Sequence, residues 1–310
     1  MSLHPGIVAW LDLLKDLPPT HTLPVADVRA AGAARLQLLP PPPAVGHVAD
    51  RELPGPGQPI GVRLYTPFGV GPFPLVIYFH GGGFVLGNLD SHDGICRHLC
   101  LNSGAVVMAV DYRLAPEHPF PAAPDDCYAA TLWAGQHAGE IGADGKRFAL
   151  AGDSAGGNLA AVVSLRVRDE GGPPLAAQLL NCPVVDYDME RPSYAANADG
   201  YFLTRDTMRW FDGHYLKRAS DRKHPHAAPL RARDFANLPP TYVLTAQYDP
   251  LRDEGEEYAM RLAAAGVPVV AKRYSNMIHA FPGLLLNVVP EAAEELAAFG
   301  AWLKARFAAI

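Results

Sequence analysis

The sequence predicts an α/β protein in which a mostly parallel central sheet carries helices on both faces. Its 310 residues, 49% of them hydrophobic and 19% charged, are enough to bury one large core. Short apolar runs alternate with helical stretches along most of the chain, which is the pattern of a layered α/β domain. The runs are apolar on both faces, as expected of parallel strands that helices cover from both sides.

The first part of the chain is predicted to lie outside the sheet. Apolar residues such as Ile7 and Leu14 recur at helical spacing, and prolines up to Pro24 divide the stretch into two helices. The proline run Pro40–Pro43 stops helix formation and forms a stiff connector. We therefore predict that residues 1–45 form an N-terminal helical cap segment.

The remaining elements are predicted from the apolar runs and the turns between them. A hairpin turn at Gly55–Gly57 opens the sheet between two extended segments. The predicted buried strands are Leu75–Phe79, Ala105–Val110, Phe148–Ala151, Ala177–Cys182, Tyr242–Ala246 and Val269–Tyr274. The predicted helices are His92–Leu101, Asp125–Gln136, Ala155–Arg168, Asp253–Ala265 and Glu291–Ala308.

One stretch interrupts this alternation of strands and helices. Residues 187–230 contain no clear strand but include an aromatic-rich helix around Met208–Phe211. We predict a cap insertion there, over the carboxyl edge of the sheet. The catalytic domain would then consist of residues 46–186 and 231–310.

Composition and charge exclude several classes of protein. The formal charge of −6 includes no long basic run, so a nucleic-acid partner is not expected. No run of about 18 apolar residues indicates a membrane span, and no secretion signal is visible, so we expect a cytoplasmic protein. We expect buried free thiols at Cys96, Cys100, Cys127 and Cys182, and no metal site, because the histidines are scattered.

A candidate nucleophile lies between a predicted strand and a predicted helix. The strand Phe148–Ala151 leads into a Gly-x-Ser-x-Gly pattern over Gly152–Gly156, and a helix follows. Glycines two residues on either side of Ser154 leave room for the strand and the helix to pass one another. This context predicts a nucleophilic serine on a strained turn. A tight turn without chemistry is the alternative.

A glycine-rich loop upstream is the candidate oxyanion hole. His80–Phe84 follows the first buried strand, and its consecutive glycines let bare N–H groups point at a ligand oxygen. We expect the amides of Gly82, Gly83 and Ala155 to be the donors, and His80 to organise the loop. A flexible turn is the alternative, whereas a P-loop is disfavoured because no Lys-Ser/Thr pair follows.

The candidate acid and base follow the last two predicted strands. Asp249 comes just after Tyr242–Ala246, and His279 comes after Val269–Tyr274. This order of serine, acid and histidine is the order typical of a nucleophile-elbow hydrolase. We predict that His279 takes the Ser154 proton while Asp249 orients its ring. The alternatives are a turn-forming aspartate before a proline and a structural histidine.

Together these motifs resemble the hormone-sensitive lipase-like carboxylesterases, often called the bacterial HSL family, of the α/β-hydrolase superfamily. The motifs that carry this resemblance are His80-Gly81-Gly82-Gly83-Phe84, Asp111-Tyr112-Arg113-Leu114-Ala115-Pro116-Glu117, Gly152-Asp153-Ser154-Ala155-Gly156-Gly157, Asp249-Pro250-Leu251-Arg252-Asp253 and His279. The resemblance covers nearly the whole chain. It implies an α/β-hydrolase fold with a helical cap, hydrolysis of short- to medium-chain acyl esters by a serine carboxylesterase, no cofactor, and often a dimer.

These motifs depart from the family pattern at two positions and are compatible with other functions. Asn276 and Ala280 flank His279 where glycine is more usual in the family, so rate or substrate size can differ. We expect Arg113 and Glu117 to pair and brace their loop rather than take part in chemistry. An amidase or peptidase would use the same triad, and a non-catalytic small-molecule receptor would use the same fold.

The substrate pocket is predicted from apolar residues and the oligomeric state from an exposed strand edge. The partners expected are a small-molecule ester and water. The apolar pocket candidates are Phe84, Leu86, Tyr201, Phe202, Trp210, Phe211, Ile278 and Phe281. A bulky cap favours small acyl groups, so butyrate and hexanoate esters should react faster than palmitate. The edge of the last strand, near Val269–Arg273, is a candidate homodimer contact.

Overall fold

A computed structural model describes residues 2–310. Its eight strands are β1 (His47–Leu53), β2 (Ile60–Thr66), β3 (Phe73–Phe79), β4 (Val106–Asp111), β5 (Ala143–Asp153), β6 (Leu175–Asn181), β7 (Thr241–Tyr248) and β8 (Val269–Ile278). They form one sheet in the order β1-β2-β4-β3-β5-β6-β7-β8. Only the β1–β2 and β2–β4 pairs are antiparallel, so the predicted mostly parallel sheet is confirmed.

Helices cover both faces of this sheet. The α-helices are α1 (Pro5–Leu14), α2 (Val25–Leu36), α3 (Asp93–Ser103), α4 (Ala122–His137), α5 (Ala155–Glu170), α6 (Pro192–Ala196), α7 (Arg205–Tyr215), α8 (Arg252–Ala264), α9 (Phe281–Leu284) and α10 (Pro290–Phe307). Short 3₁₀ turns lie at Thr20–Thr22, Ala138–Ile141, Asp221–Lys223 and Pro229–Arg231. Among the described residues, no helix combines the length and the apolar character needed to cross a bilayer.

The central strands contribute side chains to two separate hydrophobic cores, because successive side chains of a strand point to opposite faces of the sheet. In β3, Leu75, Ile77 and Phe79 pack with residues of α4, α5 and α8. Val76 and Tyr78 of the same strand pack with residues of α3 and α10. The apolar runs predicted as buried strands are therefore buried on both sides, as the sequence indicated.

The last strand differs from the sequence prediction in length and in burial. β8 continues to Ile278 rather than ending at Tyr274, and its first eight residues are exposed or only partly buried. Val270, for example, is 41% exposed. The prediction that this run is apolar on both faces was wrong, because β8 pairs with β7 alone and lies at the edge of the sheet.

The N-terminal helices pack lightly against the rest of the molecule. In α1 only Ile7 is buried, and α2 has no buried residue. Arg29 of α2 donates hydrogen bonds to the carbonyl oxygens of Val85 and Ala115, at 2.9 and 2.8 Å, and forms an ion pair with Glu117 at 2.8 Å. These contacts attach α2 to Val85, just after the glycine-rich motif, and to the loop that follows β4.

The prediction that Arg113 pairs with Glu117 was wrong, because each residue has a nearer partner on a helix. Arg113 donates to both carboxylate oxygens of Asp126 in α4, at 2.7 and 2.8 Å, while Glu117 pairs with Arg29 in α2. Both residues still fix their loop, but they attach it to different helices.

The prediction of buried free thiols is confirmed for all four cysteines.

Candidate active site

Ser154 occupies a strained turn between β5 and α5. Its backbone angles are φ 56° and ψ −118°, in a region that non-glycine residues rarely adopt. A Cβ atom at Gly152 would overlap the carbonyl of Gly156, and one at Gly156 would overlap the carbonyl of Phe79. Both glycines are therefore needed for the helix to turn back so close to the strand, as the motif predicted.

Backbone hydrogen bonds hold this turn in place. The Ser154 amide donates to the carbonyl of Asn181 at 2.8 Å, at the end of β6. The Ser154 carbonyl accepts from Val184 at 3.1 Å and from Asn158 at 3.0 Å. Because both polar backbone groups of Ser154 are engaged, the direction of its Cα–Cβ bond is set by the surrounding fold.

His279 follows directly after β8 and pairs with Asp249. The His279 Nδ1 to Asp249 Oδ2 distance is 2.8 Å, and the two residues are 6% and 0% exposed. Since an ionised carboxylate only accepts hydrogen bonds, Nδ1 carries the hydrogen and Nε2 keeps its lone pair. The second Asp249 oxygen accepts the Leu251 amide at 2.9 Å, which fixes the carboxylate.

Asn197, in the segment predicted as the cap insertion, also reaches the Asp249 loop. Its side-chain Nδ2 donates to the carbonyl of Asp249 at 3.1 Å and to that of Gln247 at 3.3 Å. These bonds link residues 187–230 directly to the acid. The sequence reasoning missed Asn197, because a single asparagine in an irregular segment has no periodicity that would single it out.

The glycine-rich loop adopts the backbone conformation that its sequence suggested. Gly82 and Gly83 have φ values of 117° and 61°, in the left-handed region that favours glycine. A Cβ at Gly82 would overlap the Leu86 carbonyl, and one at Gly83 would overlap the ring of Phe211. Within residues 2–310, neither the Gly82 nor the Gly83 amide donates to a backbone carbonyl, so both remain available to a ligand.

His80 precedes these glycines and is fully enclosed. Its Nδ1 contacts the Gly81 carbonyl at 2.7 Å, and its ring stacks on Tyr112 at a centroid distance of 4.3 Å. Burial lowers the pKa of His80 to about 3, so the ring is neutral. The expected loop-organising role agrees with these contacts.

A large cavity brings the candidate residues together. It has a volume of about 2450 Å³ and is lined by Ser154, His279, Gly82 and Gly83, with residues of α1, α2 and α7 on its outer side. A second cavity of about 10 Å³ also touches Ser154. Its walls are Gly83, Phe84, Val184, Tyr187, Met208, Phe211, Asp212 and Tyr215. Ser154 therefore borders both a wide space and a very small one.

Only some of the predicted pocket residues line these cavities. Leu86 and Phe202 line the large cavity, Phe84 lines the small one, and Phe211 lines both. Among the described residues, the other four candidates line neither: Tyr201 packs on Tyr248, Trp210 packs on His214, and Ile278 and Phe281 lie in the core. Neighbouring helix residues such as Trp210 and Phe211 point in different directions, which composition alone does not reveal.

The residues that flank His279 are placed differently from the sequence expectation. Asn276 lies within β8, and its carbonyl accepts the His4 amide at 2.9 Å, so it anchors the N-terminus rather than shaping a loop. Ala280 has φ 50° and ψ 27°, the left-handed conformation that glycine adopts more easily. This strain explains why glycine would be usual beside the histidine.

Cys182 lies close enough to Asp249 and His279 to raise the question of a metal site. The three ligand atoms are within 4.8 Å of one another. Burial raises the pKa of the Cys182 thiol, and a metal ligand must be the thiolate. Asp249 and His279 are moreover hydrogen-bonded to each other. We therefore keep the prediction that this cluster is not a metal site.

Known α/β-hydrolases are similar to this chain in sequence. A family model described as an alpha/beta hydrolase fold matches residues 76–283. Esterase LipI of Mycobacterium tuberculosis is 46% identical over 283 residues, which are 88% of this chain and 87% of LipI. Carboxylesterase NlhH of the same species is 42% identical over 298 residues, which are 94% of this chain and 93% of NlhH.

Solved structures extend this likeness to three dimensions. A thermostable esterase from Pseudomonas putida superimposes with a TM-score of 0.95 at 41% identity, covering 99% of this chain and 98% of its own. An ester-hydrolase from the Lake Arreo metagenome, complexed with a bipyridine phosphonate derivative, has a TM-score of 0.94 at 41% identity, covering 99% of both chains. The chain therefore belongs to the hormone-sensitive lipase-like family of the α/β-hydrolase fold.

Proposed function

We propose that this chain is a serine carboxylesterase in which Ser154 is the nucleophile, His279 the general base and Asp249 its partner. The observation that supports this most strongly is the buried 2.8 Å pairing of His279 with Asp249 at the cavity that Ser154 lines. Relatives at 42 to 46% identity are named as esterases and carboxylesterases. The amides of Gly82, Gly83 and Ala155 are the proposed oxyanion donors.

Acylation begins when Ser154 Oγ attacks the ester carbonyl carbon. His279 Nε2 accepts the hydroxyl proton, and the Asp249 carboxylate stabilises the imidazolium that forms. The negative charge that develops on the carbonyl oxygen is stabilised by backbone N–H groups of the glycine-rich loop. Collapse of the tetrahedral intermediate expels the alcohol, which takes its proton from His279.

Deacylation repeats these steps with water in place of the alcohol. His279 removes a proton from water, the hydroxide attacks the acyl-enzyme carbonyl, and the same amides stabilise the second tetrahedral intermediate. Ser154 then leaves and regains its proton from the imidazolium. The products are a carboxylic acid and free enzyme, so the cycle needs only an ester and water.

The two cavities support a preference for short- to medium-chain acyl groups. The space of about 10 Å³ beside Ser154 is close to the minimum for one water molecule. As it stands this space admits no acyl chain, so a chain that enters it must displace wall side chains such as Phe211, and each added methylene must displace more. We propose that the acyl group lies on this side of Ser154 and the alcohol in the large cavity, and that residues 1–45 and 187–230 form the cap over the large one.

Enlarging the small cavity should lengthen the preferred acyl chain. In Phe211→Ala, the ratio of kcat/KM for p-nitrophenyl octanoate to that for the acetate is expected to rise about tenfold. The enlarged pocket should admit at least one more methylene, and one methylene in an apolar pocket changes kcat/KM by roughly 10- to 200-fold. Trp210→Ala is the matched control, since Trp210 is on the same helix but lines neither cavity. An unchanged ratio in Phe211→Ala would contradict the assignment of the acyl chain.

Matched substrates test the proposed reaction class. We expect p-nitrophenyl butyrate to be hydrolysed and the corresponding p-nitroanilide to react far more slowly. Comparable rates on both substrates would favour an amidase, and turnover of neither would favour a small-molecule receptor. The pairing of His279 with Asp249 favours catalysis, because a receptor does not need an oriented base.

We also propose a homodimer formed through the outer edge of β8. This edge pairs with no other strand among residues 2–310, and unpaired edges invite pairing. Sedimentation velocity at several concentrations tests the proposal, and a monomer throughout would contradict it. A cytoplasmic location and the absence of a nucleic-acid partner stay predictions.

A further inference from the structure

Asp153, the residue before Ser154, is buried in a cluster of polar groups at the end of β5. It is 8% exposed, and its Oδ1 accepts the Tyr78 hydroxyl at 2.6 Å. The same oxygen lies 3.1 Å from the Gly81 amide and 3.3 Å from His92 Nε2. One carboxylate oxygen thus contacts three groups, two from the end of β3 and the loop that follows it and one from His92.

The contact with Gly81 joins the nucleophile to the oxyanion loop. Gly81 directly precedes the two glycines whose amides are the proposed donors. A Cβ atom at Gly81 would overlap the Asp153 side chain, so the loop and the carboxylate are packed together without a gap. A shift of the Asp153 carboxylate toward Gly81 therefore has little free space to enter, and it would change the position of the loop that carries the proposed donors.

His92 closes this cluster on the side of the large cavity. Ser91 Oγ gives its hydrogen to the Asn88 carbonyl at 2.8 Å, so His92 Nδ1, at 2.8 Å from Oγ, carries a hydrogen. His92 Nε2 is left to contact Gly81 and Asp153. The ring therefore contacts the same amide and carboxylate from the side of the large cavity.

The ionisation state of the Asp153 carboxylate agrees with these contacts. Burial by itself would raise the pKa of Asp153, but the neighbouring His92 ring and the hydrogen bond from the Tyr78 hydroxyl outweigh it and hold the pKa at about 2. Asp153 is therefore ionised at neutral pH, and an ionised acceptor makes shorter and stronger hydrogen bonds than a neutral one.

We propose that Asp153 is a positioning residue that sets the distance between Ser154 and the oxyanion loop, and that Tyr78 acts through it. The inference rests on the proposed esterase function. It differs from the roles of Ser154, His279 and Asp249, because Asp153 acts through its contact with the Gly81 amide and transfers no proton. Its loss should weaken binding of the transition state while leaving substrate binding nearly unchanged.

The test compares Tyr78→Phe, Asp153→Asn and the double variant with the wild type. Removing one oxyanion donor outright costs roughly 10²- to 10³-fold in kcat. Because these variants only displace the donors, we expect kcat to fall about fivefold in Tyr78→Phe and about fiftyfold in Asp153→Asn, with KM nearly unchanged. Affinity for a boronic acid transition-state analogue should fall in parallel, whereas affinity for the product butyrate should not.

The double variant separates positioning from independent structural damage. If Tyr78 acts through Asp153, adding Tyr78→Phe to Asp153→Asn should change kcat little further. Tyr258→Phe is the control, because that tyrosine is also buried and its hydroxyl has no partner among residues 2–310. Thermal melts check that each variant is folded, and Tyr78→Phe, which keeps its ring, carries the test alone if Asp153→Asn does not fold.

Failure of the positioning role can be distinguished from failure of the proposed esterase function. A wild type without esterase activity would overturn the proposed function itself. An active wild type whose folded Asp153→Asn and Tyr78→Phe variants match Tyr258→Phe would overturn only the positioning role. Fully additive losses in the double variant would also overturn it, because the two residues would then act independently.

Discussion

Ser154→Ala is expected to lower kcat for p-nitrophenyl butyrate by about six orders of magnitude, the scale seen when a triad nucleophile is removed. Alanine has no oxygen to form the acyl-enzyme, so only hydrolysis assisted by the oxyanion amides and by binding remains. The substitution removes one atom from a residue that is 8% exposed, and the strained backbone keeps its hydrogen bonds to Asn181 and Val184. The loss should therefore appear in kcat without loss of the fold.

A serine in α5, the helix that follows Ser154, is the control for this variant. Ser164 is 1% exposed, and its hydroxyl has no partner among residues 2–310. Ser164→Ala should leave kcat within about twofold, since a hydroxyl without a hydrogen bond contributes little that alanine lacks. Equal losses in both variants would show that the effect comes from the helix rather than from the nucleophile.

Asp249→Asn is expected to lower kcat by about 10⁴-fold, the effect of the same change in serine proteases. The asparagine amide can place N–H₂ opposite His279 Nδ1, which favours the tautomer with its hydrogen on Nε2. In that tautomer Nε2 has no free lone pair and cannot accept the Ser154 proton. The acid is 0% exposed, so water cannot readily substitute for the lost carboxylate.

Asp253→Asn is the matched control for the acid. Asp253 accepts the Ser193 amide at 2.7 Å and pairs with Arg252, so it supports the same region without contacting His279. Its variant should lose some thermal stability and keep its kcat. If Asp253→Asn lost as much activity as Asp249→Asn, the role assigned to Asp249 would be wrong.

The central strands could be predicted from the sequence because their environment leaves a local signal. A strand covered on both sides, such as β3 or β5, must be apolar along its whole length. β8 gave a weaker signal, because an edge strand is half exposed and its polar residues resemble a loop. The prediction therefore ended β8 at Tyr274, four residues before the strand ends at Ile278.

The candidate site was predictable where steric constraints restrict residue types. Gly152, Gly156 and Gly82 occupy positions where a Cβ would overlap backbone atoms, so their pattern in the sequence reflects geometry directly. Asp249 and His279 could be located because each follows a strand that the sequence reveals. The 2.8 Å contact between them is a property of the fold alone.

Contacts between distant segments left no comparable signal. Asp153 and Gly81 are 72 positions apart, and nothing local to either residue indicates their contact. The direction of Trp210 relative to Phe211 depends on the exact rotation of α7, which an aromatic cluster does not specify. Cavity walls and positioning residues are therefore the parts of the site that required the structure.

The most direct test of the account is covalent labelling of the protein with a p-nitrophenyl alkylphosphonate, followed by peptide mass analysis. Ser154 Oγ should attack phosphorus, release one equivalent of p-nitrophenolate per chain and carry the phosphonyl group, whereas Ser154→Ala should release none. A wild type that hydrolyses esters yet carries the label on another residue, or on none, would contradict the assignment of Ser154 as the nucleophile.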